Sequence, residues 1–121
     1  YEQRTPSAAS RMIDRSGDGS TVTTTIISDT GEIVHPTNGM VWRETHASVA
    51  SIRADDPLSF ECAEVVTVMR RRAGVQTDAT ARCRLTATAS DWHVDAELTA
   101  SEDGHVVFER AWHSDIERDH Q

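Results

Sequence analysis

Lysine is absent from this sequence, so all twelve basic residues are arginines, against twenty aspartates and glutamates. The net charge of −8 at pH 7 argues against a nucleic-acid partner, because such proteins concentrate positive charge on one surface. Without lysine the chain also cannot form a phosphate-binding loop of the Walker type, which needs a Gly-Lys pair. The one basic run, Arg70–Arg72, is predicted to be a solvated turn.

Long apolar runs are also missing. No stretch approaches the ~20 residues that cross a bilayer, and no signal-peptide pattern is present, so we expect no membrane partner. Two cysteines, Cys62 and Cys83, are too few for the disulfide framework of a secreted domain, and they lie too far apart for a Cys-x-x-Cys zinc site. We therefore expect free thiols and a cytoplasmic protein.

Catalytic motifs are lacking as well. A serine hydrolase of the α/β type carries Gly-x-Ser-x-Gly at a strand-to-helix turn, and no such motif occurs. The segment Ser16–Ser20 is rich in glycine and serine but has the wrong order, and it is predicted to be a turn. We expect no catalytic residue and no cofactor in this chain, which leaves open whether it is part of an enzyme.

What the sequence does contain is strand periodicity with few large apolar side chains. Leu, Ile, Val and Phe together number 22 of 121 residues, which is about 18%. No segment has helical periodicity. We predict an all-β, antiparallel sandwich or jelly-roll-like module, with a small open β-barrel as the alternative. Residues 1–10 are predicted to be a linker or arm, and residues 11–121 a single thin domain that gains stability by packing on something else.

The first half of this domain has three predicted extended segments after a short strand at Arg11–Arg15. Thr21–Ser28 has the β-branched composition of a strand, and Asp29–Gly31 closes it, so that Glu32–His35 can return as its hairpin partner. After a turn at Pro36–Gly39, the segment Met40–Arg53 is predicted to be a longer strand.

The second half is predicted to contain two hairpins with definite registers. In the first, a four-residue loop ending at Gly74 pairs Phe60 with Leu85, Cys62 with Cys83 and Val66 with Ala79. In the second, a three-residue loop at Glu102–Gly104 pairs Ala100 with Val106, Leu98 with Phe108 and Val94 with Trp112. The first register makes Cys62 and Cys83 cross-strand neighbours, and we favour small buried hydrophobes over a disulfide there.

Three residues are candidates for ligand binding: Trp42, His93 and His113. The second register places His93 opposite His113 on the outer face, with Asp95 and Glu97 further along the strand. Two imidazoles and a carboxylate can bind a transition metal, but this arrangement lacks a defined third ligand. We therefore favour a solvated polar face and predict no metal site. Trp92 and Trp112 fall on the apolar face of their hairpin and are predicted to be packing anchors.

Several segments together resemble the C-terminal β region of X-Pro dipeptidyl-peptidase and cocaine-esterase-like hydrolases. They occur in the family order, at Ile52–Ser59, Leu85–Val94, Ala96–Ala100, Glu102–Gly104, Val107–Trp112 and Ile116–Asp119. The resemblance implies a jelly-roll-like appendage that packs on an α/β-hydrolase domain. In that family the catalytic serine, acid and histidine belong to the hydrolase domain, so the resemblance carries no catalytic residue to this chain.

Three functions are open at this point. The first is a non-catalytic β module that packs on an α/β-hydrolase domain, in the same or a separate chain, and shapes its substrate cleft. The second is a free-standing small β-barrel that binds or transforms a hydrophobic small molecule in a cavity lined by its tryptophans. The third is an interaction module that self-associates through an exposed edge or face.

Overall fold

The structure, a computed structural model, describes residues 1–119. These residues form nine β-strands and no helix, which confirms the predicted all-β class. No membrane-crossing helix is therefore found in this range. The strands are β1 (Glu2–Gln3), β2 (Ala8–Arg15), β3 (Thr21–Asp29), β4 (Ile33–Val34), β5 (Val41–Arg53), β6 (Asp56–Arg72), β7 (Val75–Ala87), β8 (Asp91–Glu102) and β9 (His105–Glu117).

All nine strands belong to one antiparallel sheet, in which β5 to β9 follow one another as a meander. The other side of β5 is shared, because β3 pairs with its C-terminal part and β4 with its first two residues. β2 extends the sheet beyond β3, and β1 extends it beyond β4. Within residues 1–119 the edge strands β2 and β9 do not pair with each other, so the sheet is open and is not closed into a barrel.

The two predicted hairpins exist, but their registers differ from the prediction. In the β6–β7 hairpin, Arg72 pairs with Val75 around a two-residue turn, Ala73-Gly74, in which both residues have positive φ. Such a turn matches the twist of the strands better than a longer loop. As a result Cys62 lies opposite Leu85, which is two residues along β7 from its predicted partner Cys83, and Cys83 lies opposite Glu64. Both thiols are free, with Cys62 partly buried and Cys83 exposed. The predicted pairing of Cys62 with Cys83 was therefore wrong, and so was the prediction that both are buried.

In the β8–β9 hairpin the turn is again two residues long, at Asp103-Gly104, rather than the predicted three. A register shift between Ala100 and Ser101 then leaves Val107 as an extra residue in β9. The turn and this bulge together move the pairing by two residues, so Ala100 lies opposite Phe108. Since a shift of two preserves the face of every side chain, the predicted apolar face of this hairpin is retained.

The first part of the chain departs from prediction in two places. β4 pairs with β5 and β1 instead of returning along β3, whose neighbours are β2 and β5. Residues 1–10, predicted as a linker or arm, contribute β1 and the first three residues of β2. The N-terminal segment passes close over Gly31, whose φ is +67° and where a Cβ atom would meet the carbonyl oxygen of Thr5 at 2.3 Å.

The hydrophobic core is small, as the scarcity of large apolar residues predicts. Val34 and Val41, 6% and 4% exposed, are the buried hydrophobic side chains of residues 1–119, and they lie opposite each other on β4 and β5. The accessible surface is 8363 Å². A compact monomer of this mass exposes about 6500 Å². The described residues therefore form one layer of the kind that a sandwich or jelly roll covers with a second.

Candidate functional site

One face of the β6–β9 half of the sheet carries most of its large apolar side chains. Directly opposite residues share a face, so even-numbered residues of β6, β8 and β9 lie beside odd-numbered residues of β7. Several of these side chains stay exposed, among them Phe108 at 46%, Trp112 at 41% and Ile116 at 51%. We call this surface the apolar face, and its large members are Phe60, Val66, Val68, Leu85, Trp92, Val94, Leu98, Phe108, Trp112 and Ile116.

Two tryptophans of the apolar face have aromatic or cationic neighbours. The ring of Trp92 meets that of Phe60 edge to face, with centroids 6.3 Å apart, and the Arg118 guanidinium lies 4.7 Å from the centre of the Trp92 ring. Arg110 lies 5.0 Å from the ring of Trp112 in the same way. These contacts are typical of aromatic and cation–π pairs. Trp112 is 41% exposed, so its predicted role as a packing anchor stays a prediction, as does that of Trp92.

The opposite face of the same strands is charged. Arg82 and Arg84 of β7 lie opposite Glu97 and Asp95 of β8. Arg84 also donates from Nε to Glu61 of β6 at 2.8 Å, and this hydrogen bond lowers the pKa of the Glu61 carboxyl. We call this surface the polar face; its charges alternate across the strands, as expected for a face in contact with water.

Four side chains on the polar face of β8 and β9 form a hydrogen-bonded group, which we call the His–Asp cluster: His93, Asp95, His113 and Asp115. His93 lies opposite Asp115, and Asp95 lies opposite His113. The distance from His93 Nδ1 to Asp115 Oδ1 is 2.5 Å, and that from His113 Nδ1 to Asp95 Oδ1 is 2.7 Å. The second ring nitrogen of His113, Nε2, is 2.9 Å from the same Asp115 oxygen. The two imidazoles lie 6.4 Å apart at an interplanar angle of 17°.

The electrostatics of the His–Asp cluster follow from these contacts. The pKa of His113 is raised, first by its hydrogen bond to Asp95 and then by the charge of Asp115. The pKa of Asp115 is lowered, chiefly because it accepts a hydrogen bond from His93. Each shift has the sign expected when an imidazolium and a carboxylate stabilise each other's charged form. The cluster can thus hold positive charge between its two carboxylates.

The three candidate ligand-binding residues do not form one site. His93 and His113 come together, although the predicted direct pairing between them was wrong because the register differs by two residues. Trp42 lies on β5, opposite Ile33 and Arg70 and on the same side of the sheet as the apolar face. The residue that the sequence analysis missed is Asp115, which becomes a partner of His93 only in the observed register.

The serine- and glycine-rich segment near residue 18 is a turn, as predicted. The Asp18 carboxylate accepts hydrogen bonds from Ser16 Oγ at 2.6 Å, from Ser20 Oγ at 2.8 Å and from the Ser20 amide at 3.0 Å. These bonds, the one from Ser16 foremost, lower the pKa of Asp18 to about 2. Both hydroxyls are thus occupied in stabilising the turn between β2 and β3.

Comparisons with known proteins give no relative for this chain: no family model matches it, and neither does any curated protein or solved structure. The resemblance to the β region of the hydrolases therefore stays a prediction from the segments named above.

Proposed function

We propose that this chain is a non-catalytic β module whose apolar face packs on an α/β-hydrolase domain and helps to shape that domain's substrate cleft. The observation that carries the proposal is the apolar face itself, which has aromatic and branched side chains about half exposed and no second layer within residues 1–119. Contiguous exposed apolar surface of this kind marks a site of association in a soluble protein.

The energetics favour a covered state. Apolar surface contributes roughly 25 cal/mol for each Å² removed from water, and the thin core supplies little of that within the chain. A partner that covers the apolar face supplies the missing burial. The opposite, polar face is suited to remain in contact with water in such an assembly.

The apolar face also has a shape that can receive a partner's side chains. A groove of about 430 Å³ is lined by Val68, Ala79, Ala100 and Val107, together with polar residues that include Arg70 and Glu102. The short side chains of the two alanines let a neighbouring element approach closely, and apolar anchors in such grooves contribute strongly to binding. The alternative, a free-standing small β-barrel that encloses a hydrophobic small molecule, has less support, because the sheet of residues 1–119 does not close around a cavity.

The identity of the partner comes from the resemblance to the hydrolase β region. In that family the β region is covalently joined to the hydrolase domain, and we propose the same class of partner here, in the same or a separate chain. The free thiols of Cys62 and Cys83 suit a reducing compartment, which is why we place the protein in the cytoplasm.

The proposal is tested in two steps. The reading frame upstream of Tyr1 and the neighbouring genes are sequenced, and we expect an α/β-hydrolase with a Gly-x-Ser-x-Gly motif. That domain is then produced with this chain, and binding is measured by titration calorimetry. Leu98→Asp, on the apolar face, is expected to weaken binding by at least about tenfold, because it places a charge in a dry interface.

Thr99→Asp is the matched control, because Thr99 is the next residue of β8 and lies on the polar face. It is expected to leave binding unchanged. A genome without such a hydrolase, or equal affinities for the Leu98→Asp and Thr99→Asp variants, would contradict the proposal. Sedimentation that shows a stable dimer abolished by Leu98→Asp would instead assign the apolar face to self-association.

A further inference from the structure

The His–Asp cluster brings three metal-ligating atoms together on the polar face. His93 Nδ1 and His113 Nε2 both point at Asp115 Oδ1, and the three ligand groups lie within 4.8 Å of one another. We propose that His93, His113 and Asp115 bind one divalent transition-metal ion of the Zn²⁺ type. The site lies on the side of the sheet opposite the apolar face, so it does not rest on the proposed function.

The hydrogen-bonding capacity of His113 supports a cation at this point. A carboxylate only accepts hydrogen bonds, so the contacts of His113 with Asp95 and Asp115 are both hydrogen bonds only when the ring carries two protons. A metal ion can replace the proton on Nε2 and bind the same Asp115 oxygen. Asp95 then accepts the remaining Nδ1–H and fixes the tautomer that leaves Nε2 free as a ligand, as carboxylates commonly do behind metal-bound histidines.

The distances require only small movements for a metal ion to enter. Zinc binds nitrogen and carboxylate oxygen at about 2.0–2.1 Å, so tetrahedral ligands lie about 3.3 Å from one another. The two nitrogen-to-oxygen distances in the cluster, 2.5 and 2.9 Å, are each shorter than this by less than about 1 Å, and the ligand atoms of His93 and His113 lie within 4.8 Å of each other. Asp115 and His113 are 54% and 56% exposed, so their side chains can rotate to bring the three ligand atoms to this spacing while the paired strands stay in place.

The charges of the cluster suit a divalent ion. The carboxylates of Asp95 and Asp115 together balance two positive charges, and imidazole with carboxylate is a ligand combination that zinc accepts. Arg84, which lies opposite Asp95 on β7, donates to Glu61 at 2.8 Å. Three protein ligands leave one tetrahedral position for water or for an outside ligand. The bound ion would also join β8 to the edge strand β9.

Zinc binding to the full chain at neutral pH tests the proposal. Titration calorimetry with zinc chloride is expected to give one ion per chain, and the thermal midpoint is expected to rise with zinc because the ion binds the folded state. Asp95→Asn, which acts through His113, is expected to weaken binding by about tenfold. His113→Ala and Asp115→Asn remove ligands and are expected to weaken it further. Cobalt in place of zinc is expected to give the absorption of a tetrahedral site in the unmodified chain and to lose it in Asp115→Asn.

His105→Ala is the matched control, because His105 is an exposed histidine of the same strand that lies at the β8–β9 turn, outside the cluster. It is expected to bind zinc like the unmodified chain. Should His113→Ala fail to fold, the near-isosteric variants Asp95→Asn and Asp115→Asn decide the question. The absence of zinc binding at millimolar concentration, or binding that these variants leave unchanged, would overturn the proposal.

Discussion

Asp29 and Arg43 show at the scale of single residues how this chain stabilises a sheet with little core. Arg43 donates from Nε and from a terminal nitrogen to the two carboxylate oxygens of Asp29, at 2.9 and 2.5 Å, and the Gly31 amide donates to the same carboxylate at 2.8 Å. Such bidentate pairs are more specific than single contacts between charged groups. This pair joins β5 to the end of β3, beside the point where the N-terminal segment crosses Gly31.

These contacts predict a defined acid titration for Asp29. Its pKa is lowered from 3.8 to about 2, chiefly by the hydrogen bond from Arg43 and then by that from Gly31. A carboxyl whose pKa is lower in the folded state stabilises the fold above its unfolded pKa, and this stabilisation is lost as pH falls through the folded value. The contribution of Asp29 is therefore expected to disappear between about pH 4 and pH 2.

The substitution Arg43→Gln tests this assignment. We expect the pKa of Asp29 to rise part of the way toward 3.8, because the hydrogen bond from Gly31 remains. The midpoint can be followed by carbon NMR of the carboxyl group. Asp18 serves as an internal control, since its pKa of about 2 depends on Ser16 and Ser20 and is expected not to change. An unchanged Asp29 midpoint would refute the role given to Arg43.

At the scale of elements, the bulge at Val107 decides which side chains of β9 reach the apolar face. With a two-residue turn at Asp103-Gly104, a regular ladder would place Val107 opposite Ala100 and turn Phe108 toward the polar face. The extra residue returns the even-numbered side chains of β9 to the apolar face, so that Phe108 and Trp112 lie opposite Ala100 and Ala96. The apolar pattern of the two strands therefore requires either a longer loop or a bulge.

Two single-residue deletions distinguish these roles. Deleting Val107 is expected to leave the pairs after the bulge in place and the fold intact, because a regular ladder then has the native register. Deleting Ala111 is expected to destabilise the chain by about 1 kcal/mol or more, since either Phe108 or both Trp112 and Ile116 must move to the polar face. Urea unfolding measures the difference in the free energy of unfolding between the two variants. Equal stabilities would contradict the role given to the Val107 bulge.

The alternation of odd and even residues between the two faces also explains how far the sequence predicts this structure. Alternation identified the strands of both hairpins and their faces correctly, because it depends only on whether a residue is odd or even. It could not fix the register, since turns of two and four residues give the same alternation in the β6–β7 hairpin. Asp115 was missed for this reason: only the observed register places it opposite His93. Its signal in the sequence was the spacing His-x-Asp, which occurs at residues 93–95 and again at 113–115.

At the scale of the whole molecule, the sheet has two open edges and one layer within residues 1–119. Every residue of β2 and β9 is exposed, whereas β6 and β7 are paired on both sides. Charged residues in both edge strands, such as Arg11 and Glu109, disfavour pairing with another copy of the chain. The alternating sequence pattern could not predict the number of packed layers. An apolar face has the same pattern whether it is covered by this chain or by another.

Hydrogen exchange tests the open sheet directly. An edge strand leaves alternate amides without a partner, while amides of a central strand all point toward a neighbouring strand. Alternate amides of β2 and β9 are thus expected to exchange at least about a hundredfold faster than those in the middle of β6 and β7. NMR of the free chain resolves this residue by residue, with β5 as the control because it is paired on both sides. Protection of every amide in both β2 and β9 of the monomer would mean that the sheet closes on itself, and the apolar face would then line an interior and would not be free to bind a partner.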